Sequence, residues 1–221
     1  MSDFLTARRK MVDGQVRPSD VTDNRIIDAM LALPREAFVP ENQRALAYLD
    51  IDLNVSQSGA PKRYLIKPMV LAKMIQAAEI KCTDNVLVVG CATGYTAALV
   101  AKFAGRVTAT ESDSALAAKA SGILATFGLG QVTVVAAAAS DGAPANAPYD
   151  VIIMEGATEV VPEQLYRQLG PDGRLVGVFA MSRPQRATLI THSHADFGDR
   201  PLFDASVPVL PGLERPAAFV F

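Results

Sequence analysis

Gly90, Gly94 and Glu111 have the types and spacing that could hold a nucleoside. The run Val86-Leu-Val-Val-Gly-Cys-Ala-Thr-Gly-Tyr95 reads as a buried strand, a tight glycine turn and the start of a helix. Glu111 closes the following strand, twenty-one positions after Gly90. In a doubly wound α/β domain an acid at that place accepts hydrogen bonds from ribose hydroxyls, while the turn brings backbone close to the ligand. Gly90 permits the turn, and Gly94 leaves no Cβ in the ligand's way. Ala92 stands where a second glycine is usual, which is costly if the turn requires φ above zero. Tyr95 takes the third position at which a dinucleotide site needs a small residue for close helix–strand packing, so a nicotinamide oxidoreductase is the weakest reading.

Other constellations carry less. His192-Ser-His194 lacks a third ligand at a recognisable spacing and reads as a polar turn, so no metal is expected. No Gly-x-Ser-x-Gly elbow occurs, which removes serine hydrolase chemistry. Cys82 and Cys91 are too few and too close together for a disulfide framework, and both are expected to stay reduced.

The elements around the glycine turn follow from periodicity. Asp23 and Asn24 start an amphipathic helix that stops at Pro34, and Glu41 to Leu49 is helical or turn-like. Asn54 to Arg63 carries Gly, Pro and Ser without an apolar period and reads as a surface loop. Pro68 opens a helix reaching Ile80. Strands over Val86–Val89, Arg106–Thr110, Gln131–Ala136, Asp150–Met154 and Arg174–Ala180 alternate with helices over Thr96–Phe103, Ser114–Phe127 and Pro162–Leu169. That alternation predicts a mostly parallel sheet covered on both faces. Arg186–His192 and Pro216–Phe221 read as late strands at an antiparallel edge. The expected division is an N-terminal helical extension over 1–66 packed on a Rossmann-like domain over 67–221.

The chain has 221 residues, half of them hydrophobic, and a formal net charge of −2. That length supports a sizeable core, and the near-neutral balance lacks the footprint needed to hold a phosphate backbone, so nucleic acid is not an expected partner. The N-terminal residues lack the apolar core of a secretory signal, and no apolar run reaches the ~18 residues of a membrane span. A cytoplasmic protein without a membrane partner is expected.

Several segments resemble the protein-L-isoaspartate O-methyltransferases. Leu33-Pro-Arg-Glu-Ala-Phe-Val39 is similar to that family's "VPREKFV", and Lys67-Pro-Met-Val-Leu-Ala72 to its "QPYMVA". The Gly90-to-Tyr95 loop, Tyr149-Asp-Val-Ile-Ile-Met154 and Leu169-Gly-Pro-Asp-Gly-Arg-Leu175 resemble its glycine loop and its fourth and fifth strand motifs. The resemblance implies the S-adenosylmethionine-dependent methyltransferase fold, S-adenosylmethionine as cofactor and methyl transfer to an isoaspartyl carboxylate in damaged protein or peptide. On the cofactor side it implies Gly90, Ala92, Gly94, Tyr95, Glu111 and Ser112, with Ala138 at the place of an adenine-facing aspartate and Asp141 as its shifted substitute. On the acceptor side, Ile66 stands where the family has a hydroxyl and Lys67 is the nearby charge. Val88 replaces a family carboxylate. The loop ending at Arg63 is longer than the family's, which places Arg63 or Ser58 as rebuilding residues of the acceptor pocket. The departures at Val88, Ala92, Ala138 and Ile66 keep open an alternative, a non-catalytic relative serving as a binding module.

Overall fold

The computed structural model describes residues 3–56, 59–193 and 196–216. The chain begins with α1 (Phe4–Met11) and α2 (Asn24–Ala32), each opened by an aspartate, Asp3 or Asp23, whose carboxylate accepts from a backbone N–H of the first turn. Short 3₁₀ turns over Arg35–Phe38 and Glu41–Leu46 lead into a hairpin of β1 (Leu53–Asn54) and β2 (Tyr64–Leu65). Then follow α3 (Pro68–Ala77), β3 (Asn85–Val89), α4 (Tyr95–Val100), β4 (Arg106–Glu111), α5 (Ser114–Thr126) and β5 (Thr133–Ala136). The chain continues through β6 (Tyr149–Thr158), α6 (Glu163–Tyr166), β7 (Leu169–Phe179), β8 (Arg186–Ser193) and β9 (Asp196–Asp204).

The main sheet has the order β5-β4-β3-β6-β7-β8-β9. The first five strands pair parallel, and β8 and β9 add antiparallel at one edge. This is the expected mostly parallel, doubly wound sheet. Both faces are buried. Val86 and Val88 of β3 join one apolar cluster while Leu87 and Val89 join another, and β6 divides in the same way, with Val151 and Ile153 on one side and Ile152 and Met154 on the other. Strands buried on both faces lose the polar alternation of a half-exposed sheet, which is why these runs are continuously apolar. The first cluster runs without a break from Met11 and Ile26 of the N-terminal elements to Val176 of β7.

Four expectations change. The helix predicted over 162–169 is only Glu163–Tyr166, because Leu169 already pairs with Tyr149 and begins β7. The loop from Asn54 to Arg63 is pinned at its ends, with Leu53 opposite Leu65. The helix α1 and the strand β9 were not predicted. The late strand expected at 216–221 falls almost wholly on 217–221, outside the described residues, as do His194 and Ser58.

Strand order reverses between β3 and β6. In sheets of this class ligands bind at the carboxyl ends of the strands beside such a switch point. The glycine turn leaves β3 there, Glu111 ends β4, and the register of Val89 opposite Met154 carries Glu155 alongside Gly90.

Candidate active site

The turn after β3 has the backbone that the spacing demands: φ is +71° at Gly90, +51° at Ala92 and +94° at Gly94. Cys91 N–H donates to the Thr110 carbonyl at 2.8 Å, which ties the turn to β4. Ala92 is thus a buried non-glycine residue in the left-handed region. Relief of that conformation is worth roughly 1–2 kcal/mol, against about 0.4–1 kcal/mol of added unfolded-chain freedom. Ala92→Gly should therefore raise stability by up to about 1.5 kcal/mol in urea unfolding. A clear loss would mean that the buried methyl packs for more than the strain costs.

The N-terminal extension buttresses this turn. Thr93 Oγ1 donates to the Phe38 carbonyl. The Tyr95 ring meets Phe38 edge-on at 5.3 Å, and the Arg35 guanidinium lies 4.8 Å from the centre of the same ring. Tyr95 is fully buried and its phenol is pushed up to about 12, mainly by burial. It packs toward Phe38 and Arg35. Cys91 is buried as well, and burial pushes its thiol well above the ordinary range, so it is no nucleophile at neutral pH.

Glu111 is fully buried and its carboxylate is saturated. Oε2 accepts from Ala92 N–H at 2.8 Å, and Oε1 from Asp113 N–H at 3.1 Å and Ser112 Oγ at 3.2 Å. The remaining donor is Arg63, which reaches in from the hairpin. Its Nε lies 2.9 and 3.1 Å from the two carboxylate oxygens, and Nη2 donates to Oε2 and to the Gly90 carbonyl at 2.9 and 2.8 Å. Arg63 is 3% exposed. The sequence places Arg63 as a candidate for the acceptor side; in the structure it pairs with Glu111. A loop rich in Gly, Pro and Ser gives no sign that its last residue is buried.

A second residue fills the same space. A Cβ on Gly90 would meet Arg63 Nη2 and Leu210 Cδ2, each at 2.6 Å, and one on Gly156 would meet Leu210 Cγ at 2.7 Å. Leu210 is held by the C-terminal segment, where Ala157 N–H donates to Pro208 O at 2.8 Å and Leu210 N–H to Ala157 O at 2.9 Å. Two clefts, of about 580 and 410 Å³, are lined respectively by Thr22, Gln76 and Cys82 at the far end of the strands and by Tyr166, Ile190 and Phe197 near the sheet edge. Neither includes the glycine turn.

Beside Gly90 lies Glu155, 2% exposed, with no hydrogen-bond partner for either oxygen among the described residues. Burial raises its carboxyl to about 8, against the neighbouring charges of Arg35 and Arg63, which favour the anion. Arg35 is also fully buried, with Nη2 donating to the Ile66 carbonyl at 2.8 Å, and burial lowers its guanidinium from its usual value. Periodicity does not single out Glu155, because an acid directly after an apolar strand reads as a strand end.

The other sequence-derived positions are scattered. Ser112 is exposed and serves Glu111. Ala138 is half-buried; Asp141 is exposed and accepts from Ser140 Oγ at 3.0 Å. Ile66 is 1% exposed and its side chain belongs to the apolar core. Lys67 precedes α3 and sits 3.5 Å from Asp52, a partly exposed pair. Val88 is fully buried in β3. In this conformation the Glu111 carboxylate is engaged by Arg63, and Arg63 and Leu210 lie against Gly90.

The model of the protein-L-isoaspartate(D-aspartate) O-methyltransferase family matches residues 7–199. The chain belongs to this family. Protein-L-isoaspartate O-methyltransferase 1 of Rhodopseudomonas palustris strain HaA2 is 38% identical over 194 residues, covering 87% of this chain and 78% of the relative. The protein-L-isoaspartate O-methyltransferase of R. palustris strain CGA009 is 38% identical over 206 residues, 92% and 93% of the two chains. A solved protein-L-isoaspartate O-methyltransferase superposes with a TM-score of 0.83 at 25% identity, over 94% of this chain and 67% of its own. A Plasmodium falciparum structure assigned to the same family, in complex with S-adenosyl-L-homocysteine, shares the fold with a TM-score of 0.76 at 15% identity. For this family member, then, the glycine turn and Glu111 stand at the switch point of a protein-L-isoaspartate O-methyltransferase fold.

Proposed function

We propose that this protein moves a methyl group from S-adenosylmethionine to the free carboxylate of isoaspartyl residues in damaged proteins, acting in the cytoplasm. The observation that carries the reading is the buried acid Glu111 closing β4 beside a left-handed glycine turn, in a chain that matches the isoaspartyl methyltransferase family over residues 7–199. S-adenosylmethionine is the methyl donor that this family uses. Gly90, Ala92, Gly94 and Glu111 would form the cradle in an opened form of the pocket, with Ser112 orienting the acid, and Lys67 beside the buried Ile66 would lie toward the acceptor. The family match favours an enzyme over a binding module that merely retains the fold.

The chemistry asks little of acid–base groups. The acceptor carboxylate is already an anion at neutral pH, so no general base is needed. What the protein must supply is alignment and the exclusion of water. The buried surroundings of Gly90, Thr96 and Glu111 provide the dry wall for that. Calorimetric titration with S-adenosylmethionine and S-adenosylhomocysteine, beside NAD, should show binding of the first two and silence for the third. Methyl incorporation into an isoaspartyl peptide should exceed that into its aspartyl counterpart. Absence of methylation at saturating cofactor would sink the reading.

A further inference from the structure

We propose that Arg63 is a built-in latch on the cofactor pocket: its guanidinium occupies the place of the ribose hydroxyls at Glu111, and that side chain must swing away before cofactor enters. The inference rests on the cofactor reading above and concerns its regulation. Three observations carry it. First, the Glu111 carboxylate, with about four lone-pair sites, faces five donors: Arg63 Nε and Nη2, the amides of Ala92 and Asp113, and Ser112 Oγ. No acceptor capacity is left for a diol while Arg63 is in place. Second, Nη2 stands 2.6 Å from where a Cβ of Gly90 would be, so the arginine also takes the space that the glycine leaves open for a ligand. Third, the part free to move is the long side chain, because the hairpin backbone is anchored: Leu53, Val55 and Leu65 are buried in the main apolar cluster. The hairpin consists of two residue pairs, Leu53–Leu65 and Asn54–Tyr64, supplemented by Val55 N–H donating to the Arg63 carbonyl at 2.8 Å and by Ser56 Oγ accepting from Arg63 N–H. Its neighbours Gly59, Pro61 and Lys62 are exposed. A swing of the guanidinium toward exposed Pro61 and Lys62 would free Glu111 while the hairpin strands stay in the core.

The latch makes apparent affinity a measure of how often the pocket is open, since a ligand that binds only the open form is weakened by the open fraction. Arg63→Ala, and Arg63→Gln to retain a hydrogen-bond donor beside Glu111, should bind S-adenosylhomocysteine at least tenfold more tightly than the wild-type protein by calorimetry. In the wild-type protein, saturating S-adenosylhomocysteine should hasten tryptic cleavage after Arg63, because the protease needs that side chain free. Cleavage after exposed Lys62 serves as the internal reference. Micromolar binding by the wild-type protein, with no gain in either variant and no faster cleavage after Arg63, would overturn the latch and leave the cofactor reading standing. No binding by wild type or variants at millimolar ligand would overturn both.

Discussion

Glu111→Ala should lower the unfolding free energy by about 3–5 kcal/mol, the usual cost of leaving one member of a buried ion pair without its partner. At this chain length that corresponds to a fall in Tm of roughly 6–20 °C. From the sequence alone Glu111 is a ligand acid, and its removal should impair cofactor binding in an otherwise intact protein. The structure changes that expectation. Removal leaves the Arg63 guanidinium, 3% exposed, with the Gly90 carbonyl as its one remaining acceptor, and strips the acceptor from the Ala92 and Asp113 amides. The cause can be isolated with a double-mutant cycle. Arg63→Met alone strands a buried carboxylate and should also be costly, but added to Glu111→Ala it removes the orphan charge and should cost little more, giving a coupling energy of about 3 kcal/mol. Urea unfolding of the four proteins measures this. A single-mutant loss below about 1 kcal/mol would mean that Arg63 and Glu111 are not paired in solution, which would also undo the latch.

The parts of this fold that were legible in the sequence are those governed by local pattern. Val86–Val89 and Val151–Met154 are apolar at every position because each strand is buried on both faces, so their length and their flanking glycines and aspartates identify them. The positive φ at Ala92 was implicit in the spacing between Gly90 and Gly94. The strand β9 was not legible, because Asp-Phe-Gly-Asp-Arg-Pro-Leu-Phe-Asp204 has the charges and the proline with which an edge strand discourages further pairing and lacks apolar alternation. Arg63 was illegible for a different reason. A cation at the end of a Gly/Pro/Ser segment is solvated in most proteins, and its burial depends on an acid forty-eight residues away that only the folded sheet brings near. The closed state of the site is thus a tertiary property, while the existence of the site is a local one.

The largest pH-dependent effect should come from Glu155. Its carboxyl is raised from 4.5 to about 8 by burial, so the folded protein prefers it protonated while the unfolded chain releases the proton near pH 4.5. Its contribution to stability is fully present below pH 4.5 and is lost as pH rises, at up to about 1.4 kcal/mol per pH unit, levelling off above about pH 8. The whole change approaches about 5 kcal/mol as an upper bound. Glu155→Gln keeps the shape and cannot ionise, so the stability of the variant relative to wild type should grow across pH 4.5–8 and then stay level. Comparing the two proteins in urea at each pH cancels the titration of every group that they share. A difference that does not change with pH would mean that Glu155 is charged when folded, held by Arg35 or by Arg63. In that case the same buried network would join both arginines, and Arg63→Ala would lower the stability of the protein more at pH 8 than at pH 5. If the difference grows as expected, Glu155 is neutral in the closed protein, and Arg63 is left with Glu111 as its single full counter-charge, which is the arrangement from which the Arg63 side chain can most easily be released.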